Sequence, residues 1–191
     1  MRTRTGIVAV GVLAAWPAMS AGAVVVSLNN PGSTTLHEVE VVPGGTFSVD
    51  VNVTVDQVSG VGWLQFALRA STSGVFDVSD LTANAPWIRY GTGIVGGMDD
   101  TSSYGGLLYL GDPPRFGPGS ATVASVRIAV DPVSSLGTYT IDAVGITWAG
   151  SPVIPEHWPG QPGPSFIVRV LPEPATLLLL LPGVLLVRRL H

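Results

Sequence analysis

The side chains that carry acid–base, metal and nucleophile chemistry are sparse in this chain. Histidine stands at positions 37, 157 and 191, and there is no cysteine. Without a thiol, disulfides, thiolate metal sites and cysteine nucleophiles are all excluded. His37-Glu38-Val39-Glu40 sets an imidazole beside two carboxylates. On a strand, however, neighbouring side chains point to opposite faces. His37 and Glu38 therefore cannot share an ion, and His37, on the side of Val39 and Val41, reads as a partly buried structural residue. His157, between Glu156 and Trp158 in a Pro-rich stretch, reads as a surface-loop residue. Asp99-Asp100 offers the oxygen ligands that calcium takes, but no EF-hand spacing surrounds the pair, and a solvated turn is the plainer reading. The chain has no Gly-x-Ser-x-Gly elbow, no His-Glu-x-x-His, no phosphate-cradling loop and no dinucleotide fingerprint. The expectation is a protein without catalytic activity and without a metal or cofactor. Carboxylate pairs that meet only through folding leave no spacing signature.

The aromatic side chains are the stronger binding candidates. Trp87, Tyr90, Trp148 and Trp158 lie in or beside predicted loops, and Trp63 lies on the strand face opposite Leu64, Phe66 and Leu68. Such rings stack on the apolar faces of sugars or partners when exposed and fill cores when buried. Trp63, Trp87, Tyr90 and Trp148 are taken as candidate ligand contacts.

The elements that must position them are strands. Phe47, Val49, Val51, Val53 and Val55 alternate with Ser48, Asp50, Asn52, Thr54 and Asp56. This predicts an antiparallel strand with one face on a core and one in water. Further strands are predicted at 24–28, 36–42, 63–69, 107–110, 122–130, 138–148 and 166–170. Signals around Val75-Phe76 and Leu81 are weaker. After Gly145 the inward set shifts to Ile146 and Trp148, which predicts a β-bulge. Residues 83–103 read as a long irregular loop, and the Pro-rich 151–164 stretch as a loop without ladder bonds. Gly and Pro punctuate the chain at 24 and 16 positions, and no amphipathic helix or repeat is present. The fold class is all-β, an antiparallel β-sandwich over residues 24–171.

The order of strands resembles the cohesin-like and carbohydrate-binding-module sandwiches, within the jelly-roll and Ig-like architectures. Pro43 to Val53, Trp63 to Arg69, Gly106 to Leu110, Gly119 to Val130 and Gly137 to Ile141 carry the resemblance. It implies binding of a protein or a glycan.

Both ends read as targeting segments. Residues 1–23 form a signal peptide: Arg2 and Arg4, an apolar stretch from Gly6 to Ala15, then Ala21-Gly22-Ala23 as the small-x-small cleavage pattern. The mature chain is expected to start at Val24. Residues 172–191 comprise Pro172-Glu173-Pro174, an apolar run of 13 residues from Ala175 to Val187, and Arg188-Arg189 before the end. A permanent span needs about 20 apolar residues, so this run reads as a temporary membrane hold, with Arg188 and Arg189 on the cytoplasmic side. The three-part tail resembles the PEP-CTERM sorting signal of Gram-negative bacteria. That implies recognition at Pro172, Glu173 and Pro174 by an exosortase-type transpeptidase, transient inner-membrane insertion, and delivery to the cell surface or extracellular matrix.

Between the two ends stand twelve acidic against five basic side chains, a net charge near −7. An acidic surface of this kind disfavours phosphate backbones, so nucleic acid is not an expected partner. The leading expectation is an exported structural or adhesive protein of the exopolysaccharide matrix. The alternative is a carbohydrate-binding or cohesin-like protein-binding module.

Overall fold

The computed structural model describes residues 24–56, 60–90, 96–97, 103–111, 115–150 and 157–173. The signal peptide with Ala21 and Ala23, the Asp99-Asp100 pair, and the tail from Pro174 through Arg188 and Arg189 lie outside these residues. Among them every regular element is a strand, and no helix is long and apolar enough to cross a membrane.

The strands are β1 (Val24–Asn29), β2 (Glu38–Val41), β3 (Thr46–Val55), β4 (Trp63–Ala70), β5 (Phe76–Ala83), β6 (Trp87–Tyr90) and β7 (Gly96–Gly97). Then come β8 (Ser103–Tyr109), β9 (Gly119–Val130), β10 (Gly137–Ala149), β11 (Trp158–Pro159), β12 (Gln161–Pro162) and β13 (Phe166–Val170). They form two sheets. Sheet A runs β12-β1-β3-β9-β5-β7, and sheet B runs β2-β13-β10-β4-β8-β6, with β11 paired to β10. Most neighbours are antiparallel, but β12 joins β1 and β2 joins β13 in parallel.

The core follows from the alternation. Phe47, Val49, Val51, Val53 and Val55 of β3 point inward with Val126, Ile128 and Val130 of β9. They face Leu64, Phe66 and Leu68 of β4 and Phe166, Val168 and Val170 of β13. Phe47 bridges the sheets, stacking on Phe166 at 6.2 Å and meeting the edge of Phe76 at 6.1 Å. Burial of each such side chain contributes roughly 1.5–3 kcal/mol, which a disulfide-free domain must rely on.

Three segments depart from the sequence-based expectation. Residues 87–90 and 96–97, both inside the stretch 83–103 expected as a loop, form the edge strands β6 and β7. Residues 76–83 form one continuous strand; its alternation is broken because the register slips between Val78 and Asp80, so that Val78 and Leu81 are both buried. The Pro-rich segment does make ladder bonds: Gly160 N donates to Ile146 O, and Gly163 N to Val26 O. Glycines supply the N–H groups that Pro159 and Pro162 lack, and both short strands sit where proline is tolerated. The bulge at Gly145 is present, with φ of 58° and a register shift between Val144 and Thr147.

Candidate functional site

The outer faces of the two sheets differ in chemistry. Cross-strand partners share a face, so the register lays out the outer surface of sheet B row by row. Ile88, Leu108, Trp63 and Ala149 form one row across β6, β8, β4 and β10. Tyr90, Gly106, Gln65 and Thr147 form the next, followed by Ala67 beside Val144 and Arg69 beside Asp142. Ile88 is 43% exposed and Tyr90 63% exposed. The Tyr90 side chain rests over Gly106, where an added Cβ would stand 3.1 Å from Tyr90 O. At the β11 end, His157 packs on Trp63 with ring centroids 4.7 Å apart. A solvent face normally takes polar residues in an antiparallel sheet. Here Ile88, Tyr90, Leu108 and Trp63 form an apolar patch at the β6 edge, while Gln65, Thr147, Arg69 and Asp142, and Glu38, Glu40 and Arg169 on β2 and β13, keep the rest of the face polar.

The candidate aromatics separate on this frame. Trp63 is half-buried and Tyr90 exposed, and both lie on this outer face. Trp87 is buried, set edge-on to Tyr109 at 5.1 Å and to Phe116 at 6.0 Å. Trp148 is 2% exposed, cross-strand to Leu64 and packed on Trp158 at 4.9 Å. Trp87 and Trp148 therefore contribute to the core and do not join the surface formed by Trp63 and Tyr90.

The outer face of sheet A is polar, yet part of it is withdrawn from water. Asp50 and Asn52, expected to face solvent, are each 8% exposed. The loop after β1 closes over them. Gly32 N donates to Asp50 Oδ2 at 2.9 Å, and Ser125 Oγ donates to Asp50 Oδ1 at 2.6 Å. Asn52 Nδ2 donates to Asn29 Oδ1 at 2.7 Å, while Thr122 Oγ1 donates to Asn52 Oδ1 at 2.6 Å. His37 anchors the far end of this loop, its Nδ1–H donating to Leu28 O at 2.7 Å. Single-strand periodicity could not reveal the network, because its partners lie on β1, β3 and β9. Among the described residues no three histidine, aspartate or glutamate side chains gather into a metal-holding group.

The two sheets with these connections form a β-sandwich whose fold is similar to that of cohesin modules. The third ScaB cohesin of R. flavefaciens, solved in complex with a group 1 dockerin, is similar at 12% identity and a TM-score of 0.55, covering 81% of this chain and 99% of that one. The seventh ScaB type I cohesin of Pseudobacteroides cellulosolvens matches at 11% identity and a TM-score of 0.54, over 79% and 94% of the two chains. A cohesin module from a family 33 glycoside hydrolase of Clostridium perfringens matches at 12% identity and a TM-score of 0.53, over 80% and 98%. At these identities the likeness is one of fold. No protein-family model matches the chain, and no curated protein matches it.

Proposed function

We propose that this domain is a non-catalytic protein-binding module that receives a folded partner on the outer face of sheet B. The observation that carries the reading is the apolar patch on that face, with Ile88, Tyr90, Leu108 and Trp63 gathered from three adjacent strands. An exposed apolar patch gains free energy when a complementary surface covers it. Cohesins solved with dockerins bound share this architecture, which supports protein docking as the mode. Affinity capture from the secreted fraction of the native host, using the intact chain and two variants, tests it. Ile88→Lys with Leu108→Lys on the face should abolish capture of one defined partner, whereas Thr54→Lys on sheet A should not. Equal capture by all three rejects the docking face.

A second reading is favoured by Trp63 and Tyr90 lying on one surface, which suits stacking on a glycan. Retention on host exopolysaccharide that is lost with Trp63→Ala would select it. For placement in the cell, the tail composition supports export, exosortase-type sorting at Pro172, Glu173 and Pro174, and a structural or adhesive role in the surface matrix. The intact mass of the protein from the host surface fraction tests this. A chain running from Val24 to near Pro174 supports it, and retention of Ala175 to Val187 rejects it.

A further inference from the structure

We infer that the end of the sandwich from which the C-terminal segment leaves is a lipid-contacting pole. Seven large hydrophobic residues are exposed among the described residues, and three of them lie at this end: Val133 at 89%, Leu136 at 55% and Leu171 at 39%. The register brings them there. Gly137 pairs with Val170, so Leu136 enters β10 where Leu171 leaves β13. Val133 belongs to the same turn, between the end of β9 at Val130 and the start of β10 at Gly137.

The length of chain beyond the pole identifies what covers it. The apolar run begins at Ala175, four residues after Leu171, a reach of at most about 14 Å. The headgroup layer on each side of a bilayer is only about 5–8 Å thick. Once the run is held in lipid, the tether keeps Leu171 within about 14 Å of the hydrocarbon, close enough for Leu171, Leu136 and Val133 to enter the headgroup layer. Several backbone groups at the pole already have partners within the protein. Val133 N donates to Asp131 Oδ1 at 2.7 Å, and Ser134 N to Asp131 O at 3.1 Å. Tyr139 OH donates to Ser135 O at 2.7 Å, and Leu171 N to Val41 O at 2.8 Å. Backbone groups satisfied internally lower the cost of desolvation. From Val130 to Gly137 the only charged residue is Asp131, which accepts the Val133 N–H. Contact is therefore driven by apolar side chains and the tether, against the general acidity of the domain.

The absence of cysteine makes the test direct. The chain from Val24 to His191 keeps every described residue. It is labelled with an environment-sensitive fluorophore at Val133→Cys, Leu136→Cys, Ser120→Cys or Val184→Cys and reconstituted into vesicles of phosphatidylethanolamine and phosphatidylglycerol. Ser120 marks the opposite end, at the start of β9. A blue shift and loss of emission to spin-labelled lipid at 133 and 136, with neither at 120, is the expected result. Equal behaviour at 120, 133 and 136 overturns the inference. Shielding at 184 with exposure at 133 and 136 also overturns it while preserving the inserted tail. A blue shift at 133 and 136 before vesicles are added assigns the pole to a second copy of the chain and overturns the lipid contact.

Discussion

Replacing Trp148 distinguishes a core ring from a ligand ring. Trp148 is 2% exposed, packs on Trp158 at 4.9 Å and sits cross-strand to Leu64. Its Nε1 is buried without a hydrogen-bond partner. Trp148→Ala removes the whole ring and leaves Trp158 without its stacking partner, at a cost of about 3–5 kcal/mol. Trp148→Phe keeps an aromatic body and removes the orphan N–H, whose burial costs about 1–3 kcal/mol. That relief offsets part of the lost volume, so the Phe variant should fall within about 1.5 kcal/mol of the parent. For a domain of this size each kcal/mol shifts Tm by about 2–4 °C, so the Ala variant should melt roughly 6–20 °C lower. Urea unfolding followed by far-UV circular dichroism measures both variants at unchanged slope. If the Ala variant loses less than about 1 kcal/mol, the core assignment is wrong. An equal loss in the Phe and Ala variants would instead refute the role given to the unpaired N–H.

Three further outcomes follow from the same geometry. Gly145→Ala should cost about 1–2 kcal/mol, since φ is +58° there and L side chains crowd in that region; thermal melting checks it, and no change refutes the bulge strain. Asp50→Ala should cost about 1–3 kcal/mol by stranding Gly32 N and Ser125 Oγ; amide exchange at Gly32 should accelerate, and an unaltered rate contradicts the account of the loop. Arg169→Ala should cost less than about 1 kcal/mol, because its 3.1 Å pair with Glu38 is half-exposed. A larger, salt-insensitive loss would show that the backbone bonds of β2 to β13 are insufficient alone.

The sequence determined what depends on neighbours along the chain. Period-two alternation from Phe47 to Val55 and from Ala124 to Val130 specified strands and their inward faces, because successive side chains must point to opposite sides. The shift after Gly145 located a bulge. Where a bulge lacked a glycine to mark it, as between Val78 and Asp80, the alternation failed to declare one strand. Tertiary structure alone decided the rest. It withdrew Asp50 and Asn52 from water, since the covering loop and the partners Asn29, Thr122 and Ser125 come from other strands. It sent Trp87 inward and brought Trp63 and Tyr90 onto a shared face. It also gathered Ile88, Leu108 and Trp63 into one apolar row, and Val133, Leu136 and Leu171 at one pole. Burial and surface chemistry are properties of strands brought together across long sequence separations, and local periodicity carries no record of which strands will be neighbours.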